Sequence, residues 1–319
     1  MSAIDILSSS PLEKAVRIPV KQLLFRAEWR LLALVGLLCV GCVVNAAVRD
    51  QAVAWGGFFP AFGASAMLVV IGMYIRATRP MPQLALGAIG FGIFMSFTGS
   101  VAIFIYTLFP VVYPVVDLSL MGVDAALGFV WTDFVKFIAS YPLLGIGLRY
   151  VYLSILPQMV AVIILLAVLN RTVPLHRFLT VGIFCMIVTV AIWWLFPSVG
   201  PGAYAMVPIE VQAKIGLVLD AAYGAELRRL STEGMAIITA DRITGVIAFP
   251  SFHMIMACMV VWFTRGTWAF IPALAVNIAM VPATLSHGGH HLVDVFAGAV
   301  TFALSVLLVN RLIPMRPTE

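Results

Sequence analysis

The sequence predicts an all-α protein, a polytopic transmembrane helical bundle of about eight spans with one amphipathic helix lying in the membrane interface. Of its 319 residues, 62% are hydrophobic and 10% are charged, whereas an ordinary soluble domain has roughly 25% charged residues. The mean hydropathy is +1.08, and the apolar residues form separate runs long enough to cross a bilayer. This composition excludes a conventional water-soluble protein.

Unbroken apolar runs locate the spans, which are predicted at 31–48, 57–75, 84–109, 151–169, 178–196, 248–264, 268–285 and 291–312. An even number of spans places both termini on one side. Most Lys and Arg residues fall on that side, and short cytoplasmic loops are enriched in these residues. We therefore expect cytoplasmic termini. The first 30 residues lack a short apolar core followed by a small-residue cleavage site, so no removable signal peptide is expected.

Two long loops, 110–150 and 197–247, are predicted on the non-cytoplasmic face. The first mixes apolar and charged residues at helical spacing, which is typical of a helix lying flat in the interface, and a short extra span is the alternative. Asp124 and Asp133 are interpreted as belonging to the solvated face of that helix.

The net charge of +5 does not indicate nucleic acid as a partner, because the basic residues are scattered between apolar runs and form no dense patch. We attribute the excess to membrane topology. All four cysteines fall inside apolar runs, so neither a disulfide framework nor a zinc site follows from them.

The sixth predicted span opens at residues 249–253 with the sequence Phe-Pro-Ser-Phe-His. Proline is tolerated at the first position of a helix, where free N–H groups and the helix dipole attract anions. Ser251 and His253 would add hydrogen-bond donors there. A phosphate fits such a place better than a neutral sugar or a cation.

The eighth span opens at residues 286–294 and contains His287, His290, His291 and Asp294. Since His290 and Asp294 are four residues apart, a helix places them on one face. The carboxylate can then hold the proton of one imidazole nitrogen and leave the other nitrogen free as a nucleophile. An inward and an outward span separate His253 from His290, so both are expected at the same membrane depth.

These two motifs, residues 249–253 and residues 289–294, resemble the second and third motifs of the type 2 phosphatidic acid phosphatase superfamily. The turn at 196–201, the span before it and the segment around Asp124 resemble the inositol phosphorylceramide synthase branch, whose members are inositolphosphotransferases. The resemblance covers residues 115–312. It divides the chain into 1–110, with an N-terminal cytoplasmic segment and three spans, and 111–319, a phosphatase- or phosphotransferase-like membrane core.

The resemblance implies a lipid phosphotransferase or phosphatase that acts on the non-cytoplasmic face and requires no metal or other cofactor. His290 would attack the phosphorus of a lipid donor, Asp294 would orient His290, and His253 would protonate the leaving oxygen and later activate the acceptor. The acceptor would be a lipid hydroxyl or a polyol. With water as acceptor, the protein would instead be a phosphatase of the phosphatidic acid or polyprenyl phosphate type.

The sequence departs from the superfamily pattern at three positions, two of which hold a cationic residue in the family. Thr284 stands where an arginine is expected six positions before the catalytic histidine, and Phe252 replaces the glycine of the second motif; Gly72 precedes Arg79 where a first-motif lysine is expected. Other groups must therefore neutralise the substrate phosphate. We predict Ser251, Arg242 and His287 as phosphate-binding residues, and the further candidates are Arg149, Arg228 and Arg229.

Three other interpretations stay open at this level. His290 and Asp294 could be a buried pair that fixes helix packing. The group of His287, His290, His291 and Asp294 could bind zinc. A non-enzymatic transporter is a further class, but it would place ionisable residues near the bilayer midplane, and here the middles of the spans are almost free of charge.

Overall fold

The computed structural model describes residues 23–313, and within that range it contains thirteen α-helices. The helices are α1 Arg26–Val48, α2 Phe59–Thr78, α3 Pro82–Tyr106, α4 Asp117–Ala126, α5 Trp131–Ala139, α6 Pro142–Leu153, α7 Ile155–Val168, α8 Thr172–Leu195, α9 Ile209–Ile215, α10 Ala221–Glu233, α11 Phe252–Thr264, α12 Phe270–His287 and α13 Leu292–Leu312. Two short parallel strands, β1 Ala52–Val53 and β2 Ile237–Ile238, pair with Ala52 opposite Ile237. The predicted all-α class is confirmed.

Six of these helices, α1, α2, α3, α8, α12 and α13, are long and apolar enough to cross a membrane. Two further pairs pass the same test only together, α4 with α5 at a bend of 69° and α6 with α7 at a bend of 50°. The described residues therefore hold six spans, or up to eight if each bent pair is one span. The predicted polytopic bundle is confirmed at this level.

Three predicted segments differ from the structure in detail. The span at 151–169 is instead the later part of a bent pair that begins at Pro142, with the break at Ser154. The span at 248–264 is a helix of only 13 residues, because the chain stays extended until the Ser251 cap. The single interfacial helix is two helices, since Gly128 adopts a left-handed φ of +78° that α-helical backbone does not allow. Its place in the interface stays a prediction.

The short helix α11 lies at the centre of the bundle, where it packs against α7, α8, α12 and α13. Helix α3 joins the N-terminal helices α1 and α2 to this centre, because it also packs on α7 and α8. The predicted cytoplasmic residues Lys14, Arg17, Lys21 and Arg316 lie outside the described residues.

A buried ion-pair cluster joins the start of α1 to the end of α2 and the start of α8. Arg76 donates to both carboxylate oxygens of Glu28, with Nη1 to Oε2 at 2.6 Å and Nη2 to Oε1 at 2.9 Å. The Nε2 atom of His176 lies 3.3 Å from Oε1 of the same carboxylate. Only 1% of the Glu28 surface is exposed, so its carboxylate has lost its hydration. The bonds to Arg76 and His176 offset the free-energy cost of that loss.

Replacement of Arg76 by alanine is expected to lower the free energy of unfolding by about 3–5 kcal/mol, because it leaves the Glu28 carboxylate buried beside one weaker partner. The measurement is thermal or SDS denaturation of the purified protein in detergent. Arg79→Ala is the matched control, because Arg79 is exposed three residues further along the chain. Equal losses of stability in the two variants would contradict the role of the pair.

Candidate active site

The starts of α11 and α13 lie side by side, as the two sequence motifs predict. Ser251 caps α11, its Oγ accepting from the backbone N–H of Met254 at 3.4 Å. Asp294 caps α13 by accepting from the backbone N–H of His291 at 2.9 Å. The backbone N–H of Ser251 donates to the carbonyl of Asp294 at 3.0 Å, so the two helix starts are tied together. This bond brings both motifs to one end of the bundle.

His290 lies between these two helix starts and is 3% exposed. Its Nδ1 atom is 3.1 Å from Oδ2 of Asp294, and its Nε2 atom is 3.4 Å from Oγ of Ser251. Burial lowers the pKa of the His290 imidazole, and the neighbouring His291 lowers it further. A neutral ring that donates its Nδ1–H to a carboxylate in a hydrogen bond keeps the Nε2 lone pair available for attack.

His253 faces His290 from the first turn of α11. The ring centroids are 6.1 Å apart, and His253 is stacked on Tyr152 with a centroid distance of 4.3 Å and an interplanar angle of 13°. Tyr152 closes the other side of the His253 ring and so limits its rotation. Two imidazoles at this separation can reach opposite sides of one phosphoryl group.

Both rings line a cavity of about 30 Å³, which we call the catalytic cavity, and its other walls include Tyr152, Leu219 and the segment 245–248. This volume is roughly that of one water molecule. Residues 243–248 form neither helix nor strand. A phosphate therefore enters only if part of the wall moves.

A second buried network fixes the residue next to the candidate nucleophile. The His291 ring lies between two carboxylates of α4, with Nδ1 3.3 Å from Asp124 and Nε2 3.3 Å from Asp117. Asp124 also accepts from the backbone N–H groups of Leu292 and Val293 at the start of α13. This helix start is thus held to α4 on one side, while Ser251 holds it to α11 on the other.

Asp117 extends this network to the turn after α8. It accepts from Ser198 Oγ at 2.7 Å and from the backbone N–H of Gly200 at 2.7 Å. The interpretation of Asp124 as a solvated residue is wrong, since it is 3% exposed, whereas Asp133 has a side chain 69% exposed, as predicted. The seven-residue spacing of Asp117 and Asp124 on one helix face was the signal that could have indicated a shared partner.

The model of one protein family, described as the PAP2 superfamily, matches residues 118–308. The chain belongs to the PAP2 superfamily. The match runs from the start of α4 to the end of α13 and covers every helix that contributes to the catalytic cavity. Neither a curated protein nor a solved structure matches the chain. Membership confirms the superfamily predicted from the two motifs and indicates a lipid phosphatase or phosphotransferase.

Two of the positions at which the chain departs from the PAP2 pattern, Thr284 and Phe252, lie in the segment that the family model matches. Thr284 is fully buried, and its Oγ1 has no hydrogen-bond partner among the described residues. Phe252 begins α11 beside the catalytic cavity. No Lys or Arg is among the residues that line this cavity. The first N–H groups of α11 supply positive potential beside this cavity, because His253 lies in the first turn of that helix.

The predicted phosphate-binding residues lie at three different places. Ser251 contacts His290 directly. His287 is buried, and its Nε2 donates to the carbonyl of Gly145 at 2.9 Å, away from the lining of the catalytic cavity. Arg242 is exposed and lines a separate, wider cavity of about 870 Å³ together with Arg229. The structure therefore brings Ser251 to the two histidines but leaves Arg242 and His287 outside their cavity.

The four residues of the zinc alternative have separate partners. His287 contacts Gly145, His290 contacts Asp294, and His291 lies between Asp117 and Asp124. Within residues 23–313, no group of three or more His, Cys, Asp or Glu side chains has the arrangement of a metal site. In the described residues, these side chains therefore do not converge on one common point at the start of α13.

The Asp124→Asn variant tests the network around His291. Burial lowers the pKa of His291, but its hydrogen bond to Asp117 and the charges of Asp294, Asp117 and Asp124 raise it above the ordinary value. A protonated His291 therefore stabilises the fold fully below its unfolded pKa, about 6.5, and this contribution is lost as the pH rises through the raised folded value. His290 also faces this ring but is kept neutral by burial.

We expect Asp124→Asn to lower the free energy of unfolding by about 1.5–3 kcal/mol at acidic pH, where the charge-assisted bond exists, and by less at alkaline pH. The measurement is the melting temperature of wild type and variant across pH in detergent. Asp133→Asn, which removes an exposed carboxylate from the neighbouring helix, is the control. A stability difference that stays constant with pH would contradict a protonated His291.

Proposed function

We propose that this protein transfers a phosphoryl group or a phosphate-linked head group from a lipid donor through a phosphohistidine formed on His290. The observation that carries the proposal is the shared cavity of His290 and His253, with Asp294 3.1 Å from the far nitrogen of the nucleophile. A pair that served only helix packing would not need a second imidazole facing it across a cavity.

In the first half-reaction, the Nε2 lone pair of His290 forms a bond to phosphorus while the bond from phosphorus to the lipid oxygen breaks. The negative charge of the bound phosphate favours protonation of the facing His253 ring, and this ring gives its proton to that leaving oxygen, so the lipid departs as an alcohol. The His290 ring becomes positively charged on phosphorylation, and the Asp294 carboxylate stabilises that charge through Nδ1–H.

In the second half-reaction, the neutral ring of His253 takes a proton from the acceptor hydroxyl, whose oxygen then attacks phosphorus. The bond from phosphorus to Nε2 of His290 breaks, and both histidines return to their starting states. All of these proton transfers use side chains already present in the cavity. Ser251 lies 3.4 Å from Nε2 and is placed to donate to a phosphoryl oxygen.

The proposal has two versions, which differ in the molecule that accepts the phosphoryl group or head group. The resemblance of residues 196–201 to inositolphosphotransferases supports a lipid hydroxyl or a polyol. In the second version, a water molecule is the acceptor and the protein is a lipid phosphate phosphatase, which needs no acceptor site beyond the catalytic cavity. The prevalence of Lys and Arg on the side of the termini supports a site on the non-cytoplasmic face of the membrane.

The deciding experiment incubates purified protein in detergent with chelator and phosphatidic acid or phosphatidylinositol labelled in the phosphate. Ceramide or diacylglycerol is added or omitted as acceptor. Labelled phosphate in water identifies a phosphatase, and labelled lipid product identifies a transferase. Label that stays on the denatured protein in alkali and is lost in acid supports a phosphohistidine. Activity abolished by the chelator, or no turnover of either donor, would overturn the proposal.

A further inference from the structure

An apolar chamber of about 140 Å³ lies inside the bundle between α3, α7, α8 and α11. Its walls include Phe97, Val101, Leu156, Gly182 and Phe252, and the one hydroxyl among its lining residues, that of Thr98, donates to the carbonyl of Phe94. The wall therefore contains no polar group that needs a hydrogen bond to water. An apolar cavity of about this size stays dry and takes up apolar molecules.

The chamber ends directly beneath the catalytic cavity. Phe252 lines the chamber, and the next residue, His253, lines the catalytic cavity. On the opposite wall, Leu156 lines the chamber four residues after Tyr152, which is stacked on His253. A molecule with its phosphate between His253 and His290 would therefore place the atoms beyond the phosphate at the mouth of the chamber.

The chamber adjoins an apolar groove on the side of α1. This larger groove, of about 690 Å³, runs between α1, α3 and α8, and it shares Phe97, Val101 and Ile183 with the chamber. On the α1 side, Leu37 and Val40 are exposed on the surface that faces lipid. The groove and the chamber are thus separated by no more than the side chains that line both, Phe97, Val101 and Ile183.

Four methionines, Met159, Met186, Met256 and Met259, line the chamber. Methionine side chains are unbranched and adapt to apolar partners of different shape. An unfilled cavity among such flexible side chains is destabilising unless something occupies it. This lining fits a flexible hydrocarbon chain better than a rigid ring system.

We propose that the chamber binds an apolar chain of the lipid substrate and that the groove between α1, α3 and α8 is its lateral entrance. This inference rests on the proposed function, because the phosphate of the same lipid occupies the catalytic cavity. It assigns a role to α1 and α3, which lie before the segment matched by the PAP2 model. The ligand class is a lipid phosphate with a long hydrocarbon chain.

The Gly182→Leu variant tests the chamber, because an added Cβ at Gly182 would lie 3.1 Å from the terminal methyl carbon of Met259 and a leucine would fill the space beyond. We expect kcat/KM for dioleoyl phosphatidic acid to fall at least about tenfold, while that for dihexanoyl phosphatidic acid changes by less than about twofold. Gly36→Leu on α1 is the matched control, because a Cβ there meets nothing within 4 Å.

Equal losses on both substrates, or no loss on either, would overturn the chamber assignment. If Gly182→Leu does not fold, Met186→Phe fills the same space from another position of α8. A phosphatidic acid with a photoactivatable diazirine in its chain provides a readout that needs no turnover. Cross-links to peptides containing Met256 or Met259 support the chamber even if the protein releases no phosphate, which would refute only the proposed function. Cross-links confined to outward-facing residues refute the chamber.

Discussion

Replacement of His290 by glutamine is expected to reduce turnover of a lipid phosphate by at least about a thousandfold and to abolish labelling of the protein. Glutamine preserves much of the volume of the ring and can still hydrogen-bond Asp294, but its amide nitrogen has no lone pair available for attack on phosphorus. The measurements are steady-state release of labelled product and the label retained on denatured protein. Binding of the lipid is expected to change little, so the loss falls on kcat.

The control for this variant is His176→Gln, which removes a second buried histidine that pairs with a carboxylate, Glu28, in the ion-pair cluster at the start of α8. Any loss of activity in this control measures the effect of removing a buried imidazole that does not line the catalytic cavity. If both variants lost activity equally, or if His290→Gln still carried label, the nucleophile would have to be sought elsewhere.

Asp294→Asn is expected to reduce kcat by about 10³–10⁴-fold with a much smaller change in KM. The amide keeps the size of the side chain, but the His291 N–H and His290 Nδ1 both contact the same oxygen, Oδ2, so the amide keeps these bonds in only one of its two orientations. It no longer supplies the negative charge that stabilises the phosphorylated His290 ring, and its N–H₂ group can turn toward Nδ1 and favour the wrong tautomer. The measurement is kcat and KM for phosphatidic acid across a pH series.

Glu28→Gln is the matched control, since it neutralises another buried carboxylate that pairs with a histidine. It is expected to lower stability and leave kcat near that of wild type. A proportional loss of folded protein and activity in Asp294→Asn, with normal kcat per folded molecule, would reduce Asp294 to a packing role.

The central trio of the site could be predicted because its geometry is local. His290 and Asp294 are four residues apart and meet across the start of α13, because His290 directly precedes the His291 cap and Asp294 lies in the first turn. His253 needed one further step, the return of the chain to the same membrane depth through two spans. That step holds because helix length and bilayer thickness restrict where the turns can lie.

The network around His291 could not be predicted with the same rules. Asp117 and Asp124 lie on an apolar helix, where a carboxylate that stays hydrated and a carboxylate that meets a buried imidazole give the same sequence pattern. Only the approach of α4 to α13, more than 160 residues apart in the chain, distinguishes them. The position of Arg242 could not be predicted for a similar reason. Arg242 lies eleven positions before His253, and residues 243–251 between them form neither helix nor strand, so the sequence does not determine where Arg242 lies relative to His253.

Helix α8 sets the distance between the two buried polar clusters. Its start contributes His176 to the cluster with Glu28, and the turn after its end donates to Asp117 in the network beside His290. With 24 residues it rises about 36 Å, close to the full thickness of a bilayer. A donor lipid inserted in the far leaflet cannot present its phosphate to His290 unless its charged head group first flips across the hydrocarbon. Turnover in sealed vesicles is thereby limited by transbilayer flipping once the accessible leaflet is consumed.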